Sequence, residues 1–450
     1  MTEHGNTQQA AVIGAGIAGL IACAVLAKSF QRVFLVDQDD LPDGAQGRKA
    51  TPQAVHVHAL LQSGRDVLAR LFPGFEAAAR SAGCLDLKVR SQWRTFSSGR
   101  WMEPTDTGLS ILSQTRPLLE HLLRTQVLAL PVVRLVKGRV CGLETDCRGG
   151  VAAVRLADGQ SPERLRAELV IDATGRGGHG DSWLTAVGCP APPVETSFPE
   201  VRYTSALFSR SVTAGDELAG WLNLADAPAT CGAVLAPVER GRWIATATDR
   251  FSCGLPKDEE GFRGFIAALS DGRIASLLAR ERLLTDIRSF RIASVRLKRF
   301  DAIAGRLPEG YLPIGDTLAT FNPLYAQGMA VAALQARPLE HALAAAGAGE
   351  GWRRRLAEAY VPAAMVPARW AWLLGQAVDL NYSQFRGDRC PEAVELNRML
   401  RRAFAASLGR PRLMERVDRV LHLLDAPESL DSILGGHGPA VVSGTGMAFP

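Results

Sequence analysis

Lysine is scarce in this chain of 450 residues: six of its 51 basic residues are lysines, and the rest are arginines. The net charge is +5, with no run of like charges and no basic stripe, so nucleic acid is not an expected partner. None of the eight cysteines (23, 84, 141, 147, 189, 231, 253 and 390) stands in a C-x-x-C pair, which removes the common zinc and dithiol patterns. Free thiols in a reducing cytosol are expected instead. No apolar run is long enough to span a bilayer. Residues 11–27 come nearest, but three glycines interrupt them and the preceding MTEHGNTQQ lacks a basic cluster, so no leader is read there. A soluble cytoplasmic protein is the expectation. G-x-S-x-G and metal-spaced histidines are also missing, so neither a protein nucleophile nor a metal centre is expected.

What is present suits a core-rich globular protein: 47% hydrophobic and 22% charged residues. The length predicts two or three structural units. Near the start, a short apolar strand runs into G-A-G-I-A-G, with glycines at 14, 16 and 19 and Ala18 between the last two. A helix follows to about Ser29, then a strand over 32–36 that ends on Asp37. Strand, glycine turn, helix and strand, closed by an acid, form a Rossmann-type dinucleotide site. Gly14 permits the tight turn, Gly16 lets backbone approach a pyrophosphate, and Gly19 lets the helix pack on the strand. The helix N-terminus supplies N–H groups to phosphate, and Asp37 can accept hydrogen bonds from a ribose. A second G-x-G-x-x-G, at 175–180, is followed by a short helical piece and the proline-rich CPAPPVE, so no second nucleotide fold is expected there.

LPEGYLPIGD, ending at Gly315 and Asp316, reads as a turn, a short strand and an acid. TLATFNPLYAQGMAVAALQA then feeds an alanine-rich helix. Asp316 suits a ribitol hydroxyl, and the backbone at Gln327, Gly328 and Met329, with the helix dipole, suits a flavin pyrimidine ring. The two motifs together point to FAD.

This pairing resembles FAD-dependent monooxygenases of the p-hydroxybenzoate hydroxylase type. Four segments, RKATPQAVHVHALLQSGRDVLARLFPGF (48–75), LVIDATGRGG…WL (169–184), GAVLAPVERGRWIATATDR (232–250) and FNPLYAQGMAVAALQA (321–336), are similar to a bacterial natural-product subgroup that includes polyether polyketide epoxidases. The resemblance implies an α/β fold: a Rossmann-type FAD domain, an antiparallel β-sheet substrate domain and a C-terminal helical region. It implies cofactor contacts at Arg48, Arg116 and the backbone of Val140. It implies a reaction with O2 through a flavin C4a-hydroperoxide, with NAD(P)H as electron source, directly or through a separate flavin reductase. Epoxidation or hydroxylation of a polyketide-like or aromatic substrate follows. Gln53, His56 and His58 fall in a segment typical of the subgroup and read as hydrogen-bonded scaffolding. Family members usually have no separate nicotinamide domain.

The expected FAD domain is discontinuous, comprising 8–84, 112–180 and 286–345. The substrate sheet comprises 85–111 and 181–285, helices fill 346–430 with Pro362 and Pro367 as interruptions, and 431–450 is a flexible tail. Residues 131–158 read as a β-meander. Tyr203, Phe208, Trp221, Trp243, Phe321 and Tyr325 are the expected liners of a pocket for a large apolar substrate. Two alternatives use the same fold. A flavin-dependent halogenase would need a lysine beyond the flavin, for which Lys49 and Lys88 are candidates. Its tryptophan class would also carry W-x-W-x-I-P, which Trp370-Ala371-Trp372 does not complete. The other alternative is a flavin dehydrogenase or reductase of an isoprenoid.

Overall fold

The computed structural model describes residues 8–157, 164–211, 218–251 and 254–434. Cys253 and residues 435–450 of the expected tail lie outside the described residues, while 431–434 continue from a short 3-10 helix, Pro427–Ser432. The fold is mixed α/β. A five-stranded parallel sheet has the order Tyr311–Pro313, Leu169–Asp172, Gln9–Ile13, Arg32–Asp37, Val133–Lys137. The oldest rule of such sheets applies: ligands collect at the carboxyl ends of the strands, where the order reverses. Here that point is the end of Gln9–Ile13, which pairs in parallel with Leu169–Asp172 on one side and Arg32–Asp37 on the other. Helices pack on the apolar strands at the centre of this sheet, and the antiparallel strands Arg139–Thr145 and Val151–Ala157 lie against Arg32–Asp37 and Leu169–Asp172. Ile17–Leu26 is one such helix, and nine of its ten residues are buried.

A seven-stranded, mostly antiparallel sheet stands beside it, in the order Arg288–Ile292, Val201–Ser209, Arg242–Arg250, Cys231–Val238, Gly220–Asn223, Trp93–Ser97, Arg100–Trp101. Arg288–Ile292 belongs to this sheet although the sequence reading gave it to the FAD domain. The expected meander is also shifted. Val133–Lys137 joins the parallel sheet, and the antiparallel three-stranded piece is Arg139–Thr145, Val151–Ala157 and Arg164–Arg166. The glycine run at 175–180 opens a helix of seven residues, Gly180–Ala186, and an antiparallel strand, Val194–Phe198, comes next. This is not a βαβ unit.

The C-terminal region is helical: Trp352–Asp379, Pro391–Ser407 and Pro411–Leu421. Trp352–Asp379 runs unbroken through Pro362 and Pro367, against expectation. Tertiary packing overrides the local penalty, because Tyr360, Val361, Ala364, Met365 and Ala368 are all buried along this stretch. No described helix is long and apolar enough to cross a membrane.

Candidate cofactor and substrate cavity

A cavity of about 1540 Å³ runs from the first glycine turn, past the seven-stranded sheet, to the C-terminal helices. The three glycines of the turn have separate tasks. Gly14 adopts φ +106°, and a Cβ there would stand 2.5 Å from the Ala173 carbonyl oxygen. At Gly19 a Cβ would fall 1.8 Å from the Gly14 carbonyl oxygen, so only glycine lets the helix lie this close to the strand. Gly16 differs: a Cβ would meet no protein atom within 4 Å, and the residue lines the cavity. Ala18 also lines it. Gly19 and Gly315 do not. Gly315, at φ +63°, turns the chain against Ala18 from behind.

The acids and arginines at this end form one buried chain. Asp37 Oδ2 accepts from the Ala15 backbone N–H at 2.6 Å, and its Oδ1 accepts from the Asp39 N–H at 2.8 Å. Arg48 donates to Asp37 Oδ2 at 3.2 Å, to the Ala15 carbonyl at 3.2 Å and to Glu120 Oε2 at 3.3 Å. Arg116, which opens the helix Arg116–Leu128, donates to Glu120 Oε1 at 2.9 Å. Arg48 is thus largely spent on protein partners, and its first task is to neutralise Asp37 and Glu120. Asp37, Arg48, Arg116 and Val140 all line the cavity.

His58 is fixed in one tautomer. Its Nδ1 lies 2.8 Å from the His56 carbonyl oxygen, so Nδ1 carries the proton. Nε2 is then an acceptor, 3.5 Å from Arg116 Nη1. Burial, followed by the Arg116 charge, draws the His58 pKa down to about 3. His56 Nδ1 meets Ser205 Oγ at 2.8 Å, and Ser205 Oγ meets Thr246 Oγ1 at 2.7 Å. Burial lowers the His56 pKa to about 4, so both rings are neutral at pH 7. Gln53, His56 and His58 line the cavity.

Across the cavity, Asp316 follows the strand Tyr311–Pro313, deep in the molecule but open to the cavity. Desolvation raises its carboxyl pKa, and Arg116 and Arg176 oppose that shift. Arg176 was not anticipated as a site residue; its guanidinium donates to the Ser294 carbonyl and it lines the same cavity. Gln327, Gly328 and Met329 line the cavity at the start of the helix Gln327–Leu334. The Gln327 side-chain oxygen is buried without a protein partner.

The turn before that helix is strained. Ala326 sits at φ 55°, ψ 20°, a left-handed conformation that costs a non-glycine residue roughly 1 kcal/mol. A polar cluster holds the preceding residues. Asn322 accepts from the Leu324 N–H at 3.1 Å and donates to Asp379 Oδ1 at 3.0 Å. Tyr325 donates its hydroxyl proton to Asp379 Oδ1 at 2.6 Å. Arg250 donates to Asp379 Oδ1 at 2.6 Å and to the Tyr325 hydroxyl at 2.7 Å. The Arg250 guanidinium carbon lies 4.6 Å from the centre of the Tyr382 ring.

Three of the six expected aromatic liners are in place: Tyr203, Phe321 and Tyr325 face the cavity. Phe208, Trp221 and Trp243 do not, and side-chain alternation is the reason. Tyr203 pairs with Thr248, whereas Phe208 pairs with Trp243, five residues along and so on the opposite face. Those three aromatics form a separate core with Phe262, Ile266 and Ile274 behind the sheet. The cavity face instead shows Leu222, Val234, Thr246, Thr248, Arg250 and Phe290, and Leu400, Phe404 and Leu421 close the far end. Lys49 and Lys88 are exposed, and neither lines the cavity.

No family model matches the sequence. Among solved structures, the flavin-dependent brominase Bmp2 aligns with a TM-score of 0.66 at 12% identity, covering 95% of this chain and 98% of that one. PqsL, a probable FAD-dependent monooxygenase from Pseudomonas aeruginosa, aligns at 0.61 and 16% identity, covering 83% of this chain and 97% of its own. A flavoprotein/dehydrogenase from Cytophaga hutchinsonii aligns at 0.66 and 16% identity, covering 95% of each. At such identities these likenesses establish the fold. Protein Rv3254 of Mycobacterium tuberculosis (strain ATCC 25618 / H37Rv) is 30% identical over 357 residues, which cover 75% of this chain and 73% of that protein. The chain belongs to the family of Protein Rv3254.

Proposed function

We propose that the chain is a FAD-dependent monooxygenase that hydroxylates or epoxidises a largely apolar, polyketide-like or aromatic molecule. The cavity carries this reading. Drug-sized ligands occupy pockets of roughly 300–1000 Å³. A cavity of about 1540 Å³ has room for a dinucleotide and a second molecule end to end. Its two ends also differ in chemistry. One is polar, bounded by Gly16, Asp37, Arg116 and Asp316; the other is walled by leucines, valine and aromatics.

The residues fit FAD. The empty space at Gly16 is where a pyrophosphate can approach backbone, ahead of the unpaired N–H groups of the helix Ile17–Leu26. Asp37 retains acceptor capacity for a ribose hydroxyl beyond its three protein donors. Val140 offers backbone to the adenine. Asp316 and the backbone at 327–329 face the space left for the ring system, and the orphaned Gln327 oxygen there requires a donor. FAD, when bound and reduced, supplies the activation of O2. The chain binds and orients both molecules and keeps water from the ring. Neutral His56 and His58 add hydrogen bonds without adding charge beside Arg116 and Arg176. Electrons would come from NAD(P)H, directly or through a partner reductase, in a cytoplasmic setting.

Rapid mixing of the reduced, FAD-loaded protein with oxygenated buffer tests the reading. A transient absorbance distinct from both reduced and oxidised flavin, prolonged by a bound apolar ligand, is the expected result. Direct return to oxidised flavin, unchanged by any ligand, would replace oxygenation with a dehydrogenase or reductase activity.

A further inference from the structure

The polar cluster around Asp379 joins three distant parts of the chain at the cavity wall. Arg250 ends a strand of the seven-stranded sheet, Asp379 ends the longest helix, and Asn322 and Tyr325 lie in the loop that leads to Gln327–Met329. Arg250 and Asp379 form an ion pair with both side chains almost wholly buried, 5% and 2% exposed. A buried pair of this kind is a poor source of net stability, because desolvation offsets much of the attraction. Its geometry is specific, though. One carboxylate oxygen, Asp379 Oδ1, accepts from Arg250, Tyr325 and Asn322 together.

Two of these donors bracket the loop that ends at Ala326, whose left-handed backbone persists only where its surroundings impose it. Asn322 is tied four residues before it and Tyr325 one residue before it. We propose that Asp379 is a positioning residue: with Arg250 it latches the loop 322–326, holds Ala326 in its strained turn and so aims the backbone of Gln327, Gly328 and Met329 into the cavity. This rests on the reading of that backbone as the contact for the FAD ring system. Asp379 itself does not line the cavity and acts through Tyr325 and Asn322.

The test compares the FAD dissociation constant and the thermal midpoint, with and without FAD, in wild type, Asp379→Asn and Tyr325→Phe. Asp379→Asn is expected to weaken FAD binding about tenfold or more, which a factor of ten converts to about 1.4 kcal/mol. The FAD-induced rise in midpoint should shrink. Tyr325→Phe keeps the Arg250 pair and is expected to show the same effect more weakly, which preserves the test if Asp379→Asn does not fold. Adding Ala326→Gly to either variant should restore much of the affinity, since glycine takes the left-handed turn without a latch. Equal losses in midpoint with and without FAD, and unchanged affinity, would mean that the cluster only braces the fold and would overturn the proposal. A wild-type protein whose midpoint does not respond to FAD would overturn the cofactor reading, and this one with it.

Discussion

At the scale of single residues, the three glycines of the first turn separate folding from binding. Gly16 has φ −74°, which any residue can adopt, and a Cβ there touches no protein atom. Gly16→Val is therefore expected to leave the unfolding free energy of the FAD-free protein within about 0.5 kcal/mol of wild type, while FAD binding measured by flavin fluorescence is lost. Gly19→Ala should do the reverse, destabilising the protein itself, because its Cβ collides with the Gly14 backbone. A Gly16→Val protein that binds FAD normally would remove the pyrophosphate from this turn. Arg48→Met gives a third contrast. It removes the cation beside buried Asp37 and leaves Glu120 with Arg116 alone, and breaking a buried pair costs about 3–5 kcal/mol. A denaturant titration showing under 1 kcal/mol would mean that water reaches these acids. Glycine spacing and the acid after the second strand were legible because they are local patterns. Arg176, Arg250 and Asp379 were not. Arg250 and Asp379 are separated by 129 positions, and nothing in the sequence near either announces the other.

At the scale of elements, the strands were found more surely than their faces. Aromatic content alone predicts Phe208, Trp221 and Trp243 as pocket residues, but parity along their strands turns them to the opposite face. Register is a tertiary property, fixed by which strand pairs with which. The helix Trp352–Asp379 gives the opposite case, in which the prolines predict interruptions and packing overrules them. Its prolines still exact a local penalty. Pro362 is exposed, so Pro362→Ala should restore a helical hydrogen bond without opening a cavity and stabilise the protein by about 1–3 kcal/mol. Pro367 is buried, and Pro367→Ala should return less because contacts of the ring are lost. A denaturation series that ranks the two the other way would point to strain at Pro367 rather than packing.

At the scale of the whole molecule, the sequence carries the Rossmann-type unit in its glycine motif, and the antiparallel sheet and C-terminal helices beside it are what its family resemblance implies. It could not place the joins between them, which depend on pairing. The assembled molecule should respond to acid through its buried histidines. His56 and His422 titrate near pH 4 when folded and near 6.5 when unfolded. Between these values the unfolded chain holds protons that the folded chain refuses, so stability falls as the pH falls through this window. The slope is roughly 1.4 kcal/mol per pH unit for each histidine. Asp316 acts in the other direction, since its raised folded pKa makes ionisation costly as pH rises above the ordinary carboxyl value. Denaturation followed from pH 7 to pH 5 should show a net loss, flattened in His56→Gln and His422→Gln; a flat wild-type profile would mean that these rings are hydrated. The seven-stranded sheet has a further consequence. Its aromatic anchors, Phe208, Trp221 and Trp243, all lie on the side away from the cavity. On the proposed reading, the cavity-facing wall can therefore change in sequence while the aromatic wall behind it goes on holding the sheet, so that one guest molecule can be exchanged for another without rebuilding the frame.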